Sequence, residues 1–257
     1  MSEKRRKRKG SMDGPELPII FFPGLGADAR MYSNIWRLDK YLNNQDYSTT
    51  SWSNSGQVSA FPRLQVVDWS ACTVGGSIDE FASRLAATLD VDGPVIIGGS
   101  SFGGFVAWEL AKHVDARALI LLGSASTPRA VRQPLRFLLP AARFVPSAAH
   151  SLMKFAAPVV APAFGAPMPA QRRLFTAMMR STPTAFMTWA GRAVATWTPA
   201  EVTGIPVHRL HGRRDRIIAP PHETGACIIE EAGHLPTVTH PDEVNRFLAR
   251  VLPCEKA

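Results

Sequence analysis

The chain has 257 residues, 46% of them hydrophobic and 19% charged, with three scattered cysteines (Cys72, Cys227, Cys254). This length and balance fit one α/β folding unit with a sizeable core and exclude whole-chain disorder, and the cysteines exclude a disulfide or zinc framework and point to free thiols in a reducing, cytoplasmic setting. The net charge of +8 is local: residues 1–10 hold six bases and one acid, residues 125–200 hold nine bases and no acid, and the rest sums to −6, which is not a chain-wide nucleic-acid surface.

Residues 1–16 read as a disordered basic tail around Lys4–Lys9. No apolar h-region follows it and no uncharged apolar run reaches the roughly 18 residues of a spanning helix, so neither a secretory signal nor a transmembrane segment is expected. Leu17–Phe22 is a short apolar run suited to a buried strand, and it stops at the turn signal Pro23-Gly24-Leu25-Gly26. Asp28 is placed to cap a helix reaching Leu42. Residues 43–61 are polar and read as an inserted loop.

Leu64–Asp68 is the next strand, and Asp79–Leu89 has helical apolar spacing at Phe81, Leu85, Ala86 and Leu89. Val95–Ile97 is a strand, Phe105–His113 a helix and Ala118–Leu122 a strand. Val207–Leu210 and Cys227–Ile229 are two more strands, and Pro241–Leu252 is the closing helix. Short buried strands alternating with helices predict a mostly parallel open sheet with helices on both faces. Residues 17–124 and 204–257 make up that core. Residues 125–203 are Pro- and Ala-rich and too long for a connection, so they are expected to form a helical insertion. Their longest uncharged stretch, Phe155–Ala170, holds four prolines, which argues against a membrane-spanning helix.

The informative motif is Gly99-Ser100-Ser101-Phe102-Gly103, a G-x-S-x-G between a strand and a helix. A nucleophile on so sharp a turn takes a strained backbone conformation, and its −2 and +2 neighbours crowd the turn, where glycine fits best. A helix beginning near Phe102 aims its free amides at a developing oxyanion. Serine needs a base, and the base needs an orienting acid. Two signals follow Ser101: His211-Gly212-Arg213-Arg214-Asp215 at a strand end, and Gly233-His234-Leu235-Pro236 after the last strand. Strand C-termini converge on one edge of such a sheet.

From Leu17 onward the chain resembles the α/β-hydrolase fold superfamily, in its esterase- and lipase-like members. The matching pieces are Phe22-Pro23-Gly24-Leu25-Gly26, the elbow at Ser101, the G-x-x-D-x-x-x-x-P of Gly212, Asp215 and Pro220, and Gly233-His234, in the family's order. The resemblance implies Ser101 as nucleophile, His234 as general base and acid, Asp215 as the group orienting His234, and an oxyanion hole from the backbone amides of Leu25 and Phe102. It implies a serine hydrolase acting on a carboxylic ester or thioester through an acyl-enzyme, with residues 125–203 as a cap or lid. Two departures stand out. Pro23-Gly24 replaces the frequent His-Gly, and the usual first two strands are missing, which leaves a sheet edge open and the oligomeric state undecided.

A serine at 101 argues against the alkyl-enzyme chemistry of related dehalogenases and epoxide hydrolases, which use aspartate there. A receptor-like binder with little turnover, and a lyase or acyltransferase on the same triad, stay open as alternatives. Gly24-x-Gly26-x-x-Ala29 lacks the βαβ unit of a dinucleotide site, and His208 and His211 lack a third metal ligand, so no cofactor or metal is expected. His222 and His240 rival His234 less well by position, and Asp68 rivals Asp215. The aromatic residues of 125–203 (Phe137, Phe144, Phe155, Phe164, Phe175, Phe186, Trp189, Trp197) are expected to form the cap's core. The acid-free stretch admits two readings: a basic face packed on the acidic body, or a surface that steers anionic substrates or rests on anionic lipid.

Overall fold

The computed structural model describes residues 17–35, 64–89, 91, 93–133, 135, 147–222 and 224–252. The basic tail, the polar insert 43–61, the expected helix beyond residue 35, and Phe137 and Phe144 lie outside them. Six strands, β1 (Ile19–Phe22), β2 (Leu64–Val66), β3 (Val95–Ser100), β4 (Ala116–Leu122), β5 (Val207–Gly212) and β6 (Cys227–Ile229), form one sheet in the order β2-β1-β3-β4-β5-β6. All five pairings are parallel. β3 runs three residues past its expected end and carries Gly98, Gly99 and Ser100 into the sheet. The edge strands β2 and β6 have three residues each, which limits the exposed edge.

Alternation along the strands sends successive side chains to opposite faces. Ile19, Phe21, Ile96, Ile120 and Leu122 enter one apolar layer; Ile20, Phe22, Ile97, Leu119 and Leu121 enter the other. The second layer is completed by α1 (Ile78–Thr88) and α2 (Phe102–Leu110). α1 buries Ile78, Phe81, Ala82 and Leu85, one helical stripe. Its start is fixed by a reciprocal cap: Ser77 Oγ accepts from Glu80 N at 3.1 Å while Glu80 Oε2 accepts from Ser77 N at 2.7 Å. Asp28 caps a helix as expected, but the turn it caps is a short 3₁₀ helix, Ala29–Tyr32.

Between β4 and β5 the described residues include the helices α3 (Ser147–Val160), α4 (Pro169–Ser181) and α5 (Thr184–Ala195). α4 puts Phe175, Met178 and Met179 into the first layer, and α5 puts Phe186, Ala190 and Val194 into the second. The insertion therefore straddles the sheet. After β6 come the four-residue α6 (Pro236–Thr239) and α7 (Pro241–Val251), which covers the first layer with Val244, Phe247 and Leu248. No helix among the described residues is long and apolar enough to cross a membrane.

The return from the insertion is clamped to α2. Glu109, 1% exposed, accepts at Oε1 from Trp197 Nε1 (2.8 Å) and Ala200 N (3.0 Å), and its Oε2 lies 2.9 Å from Lys112 Nζ. Trp108 Nε1 donates to Ala200 O at 2.8 Å, and Phe105 stacks on Trp197. Removing the carboxylate strands the buried Trp197 indole N–H and the half-buried Ala200 N–H, so Glu109→Ala is expected to lower unfolding stability by about 2–4 kcal/mol in urea titrations.

Candidate active site

β3 ends on a turn that only its neighbours make tolerable. Ser101 has φ 51° and ψ −121°, and it is the one non-glycine residue with positive φ among the described residues. Its N–H donates to Leu122 O at 3.2 Å, and its carbonyl accepts from Ser124 Oγ at 2.7 Å and from Gly104 N at 3.0 Å. The flanking glycines are sterically required. A Cβ on Gly99 would stand 2.3 Å from Gly103 C, and one on Gly103 would stand 2.0 Å from Phe22 O. Phe102 is the first residue of α2, and its N–H has no intrahelical acceptor.

β5 ends at Gly212 and delivers Asp215 three residues later. The connection is tight because Arg213 N donates to Ile229 O (2.9 Å) and Arg214 N to Ala232 O (2.9 Å), stitching it to the loop that carries His234. Gly212 touches that loop: a Cβ there would stand 2.3 Å from Gly233 O. The result is a connected chain of groups. His234 Nε2 lies 2.9 Å from Ser101 Oγ, and His234 Nδ1 lies 2.8 Å from Asp215 Oδ2. With Asp215 ionised, Nδ1–H donates to the carboxylate and Nε2 is left to accept the serine proton.

Asp215 is 2% exposed and saturated with donors. Oδ1 accepts from Ile217 N (2.7 Å) and Ile218 N (2.9 Å). Oδ2 accepts from His234 and also from His211 Nε2 at 2.9 Å, a proton His211 shares with Ile218 O at 3.1 Å. Burial alone pushes this carboxyl up, but the His234 charge and the hydrogen bonds from His211 and His234 outweigh it and hold the group far below the ordinary carboxylate range. His211, which the sequence set aside as a metal ligand, is therefore a second imidazole on the same carboxylate. Its place in His211-Gly212-x-x-Asp215 was the available signal, but an i, i+4 spacing across a strand end does not reveal a contact.

The rival residues are elsewhere. Asp68 caps a 3₁₀ turn through Ser70 N and Ser70 Oγ. His240 Nδ1 pairs with Thr239 Oγ1. His222 lines a cavity of about 300 Å³ with Ser126, Arg129 and Arg209, and that cavity includes none of Ser101, Asp215 and His234. Leu25 sits in the turn after β1, beside the serine: a Cβ on Gly24 would be 3.4 Å from Ser101 Cβ. Trp69 steadies this turn, with Nε1 donating to Gly24 O at 3.3 Å and its ring stacked on Phe186 at 4.7 Å. Nothing in the sequence singled it out.

The insertion touches the loop that carries His234 and the turn after β1. A Cβ on Gly165, in the turn between α3 and α4, would stand 2.9 Å from His234 N, and the Phe164 ring packs edge-on to the His234 ring at 6.0 Å. Met179 presses on Gly26, where φ is +74°. Ser181 Oγ donates to Asp28 Oδ2 and accepts from Arg30, which ties α4 to the turn after β1. No group of three or more His, Cys, Asp and Glu side chains able to hold a metal ion occurs among the described residues.

The sequence profile described as the alpha/beta hydrolase family matches residues 19–247. No curated protein sequence matches the chain. Among solved structures, a thermophilic esterase from Thermogutta terrifontis superposes with a TM-score of 0.63 at 19% identity, over 93% of this chain and 92% of that one. A hydrolase from Pseudomonas aeruginosa gives 0.61 at 18%, over 94% and 92%. The N-acyl homoserine lactonase AidH, complexed with N-hexanoyl homoserine lactone, gives 0.58 at 15%, over 93% and 90%.

Two outcomes follow from the geometry. Gly103→Ala drives a methyl into the Phe22 carbonyl and is expected to destabilise the fold by about 2 kcal/mol or more, read by thermal unfolding. Because the folded-state pKa of Asp215 is depressed, its stabilisation is complete above the unfolded value near 3.9 and is lost as pH falls below it. The Tm of Asp215→Asn is therefore expected to fall less steeply than that of the wild type between about pH 4 and pH 2.5.

Proposed function

The chain belongs to the alpha/beta hydrolase family, and on that premise we propose that it is a serine hydrolase that cleaves a carboxylic ester or thioester through an acyl-enzyme. The observation that carries this is the unbroken path from Ser101 Oγ through His234 to Asp215, at 2.9 Å and 2.8 Å, on a strained strand-to-helix turn. Ser101 is the nucleophile. His234 Nε2 takes its proton as Oγ attacks the acyl carbon. The carbonyl oxygen becomes an oxyanion, held by the N–H groups of Phe102 and Leu25 in a site partly dried by the insertion. Collapse expels the leaving group, which receives the proton from Nε2. Water then repeats the cycle on the acyl-enzyme, with His234 as base and then acid. Asp215 holds the Nδ1–H tautomer and stabilises the imidazolium.

Residues 125–203 serve as the cap in this reading, supported by the contacts of Phe164 and Gly165 with the His234 loop and of Met179 with Gly26. The substrate in this reading is a small molecule. Pro23 in place of a histidine leaves the proposed oxyanion donor intact, because that donor is a backbone N–H.

Intact-mass labelling with a fluorophosphonate tests the assignment. The wild type is expected to gain one adduct, and Ser101→Ala and His234→Ala none. On a chromogenic ester, each of these variants should lose about 10⁴–10⁶ in kcat, with the double variant no worse than the single ones. Asp215→Asn should lose about 10⁴. A stoichiometric adduct that survives Ser101→Ala would place the nucleophile elsewhere.

A further inference from the structure

The corner between α3 and α4 reverses the pattern of an ordinary surface helix. α3 turns small residues inward, Ala157 and, just past its end, Ala161, both fully buried. It turns large apolar ones outward: Phe155 is 74% exposed and Val159, one helical turn on, 82%. Met168, before α4, is 59% exposed. Every exposed residue from Phe155 to Ala170 is apolar. A helix packed only against its own protein buries its large side chains and shows polar ones.

The charge around this corner has one sign. Arg172 and Arg173 are exposed near the start of α4, four and five residues after Met168, and Arg172 Nε donates to Pro167 O at 2.9 Å, which holds the guanidinium against the corner. No acid occurs between residues 125 and 200, against nine bases. The remainder of the chain outside the tail is net acidic.

We propose that this corner is a docking surface for an anionic phospholipid bilayer, with Phe155, Val159 and Met168 entering the acyl boundary and Arg172 and Arg173 meeting the headgroups. Binding of this kind scales with buried apolar area plus attraction to anionic lipid. The corner offers apolar tips and prolines and no exposed polar side chain from Phe155 to Ala170 for a protein partner to read. Its inner side is the turn whose Phe164 and Gly165 touch the His234 loop, so docking sets the candidate site beside the lipid. The docking stands independently of ester cleavage, because the test reads binding alone.

The test is co-sedimentation of the full chain with vesicles of phosphatidylcholine, alone or mixed with phosphatidylglycerol, at low and high salt. Binding is expected on the mixed vesicles, weaker on the neutral ones, and reduced by salt. Phe155→Ser with Val159→Ser, and separately Arg172→Gln with Arg173→Gln, should each weaken it by about tenfold without shifting Tm, because all four side chains are exposed. A third variant, with the bases of Lys4–Lys9 changed to Gln, should still bind. Equal binding to both vesicle types, undiminished binding by the Phe155/Val159 variant, or loss confined to the tail variant overturns the proposal. So does a dimer in sedimentation velocity that dissociates on Phe155→Ser.

Discussion

The structure turns on one strained residue. Ser101 at φ 51° holds a conformation worth about 1–3 kcal/mol of strain for a side chain with a Cβ. It persists because the surroundings leave no alternative. β4 grips its N–H through Leu122 O, Ser124 grips its carbonyl, and Gly99 and Gly103 remove the side chains that would force the turn open. The same closeness locks the elbow to β1, since Gly103 packs on Phe22 O and Gly24 packs beside Ser101. One constraint thus places the serine, the first amide of α2 and the turn after β1 together. A sheet whose central strands were less well paired would relax the turn and lose all three.

The second half of the site rests on a buried charge. An isolated carboxylate at 2% exposure is strongly disfavoured. Asp215 stays ionised because two backbone N–H groups and two imidazoles surround it. The two histidines do different work. His234 is the only one of them that reaches Ser101, whereas His211 spends the same Nε2–H on the carboxylate and on Ile218 O. His211 therefore fixes where Oδ2 points, and Oδ2 in turn fixes which nitrogen of His234 carries its proton.

Much of this was legible in the sequence because the informative features are local. A strand, a turn and a helix follow one another within sixteen residues at Ser101, and glycines at −2 and +2 have a steric reason that needs no partner. The parallel sheet followed from short apolar runs separated by helical spacing, and all six strands appear where those runs lie. What escaped is long-range. Trp69 matters because its indole reaches Gly24 O, and the pair is 45 positions apart. β3 ran on through Gly98 and Gly99 because sheet neighbours, not β-propensity, set its length. The expected helix after Asp28 is a single 3₁₀ turn as far as Ile35, since Tyr32 is drawn inward to Phe22 O and Ser100 Oγ rather than lying along a helix face.

The insertion is where local and distant constraints meet. Its inner surface obeys the rules of a core: Phe175, Met178 and Met179 join the first layer, Phe186 and Trp197 the second, and Glu109 clamps the returning chain. Its outer surface breaks those rules at Phe155, Val159 and Met168. The two surfaces are joined by a short turn, Ala161–Ala166, whose Gly165 touches Gly233 and whose Phe164 touches His234. The outer corner and the loop that carries the imidazole are therefore bridged by one turn, whereas the elbow is held by β4 through Leu122 O and by β1 through Phe22 O.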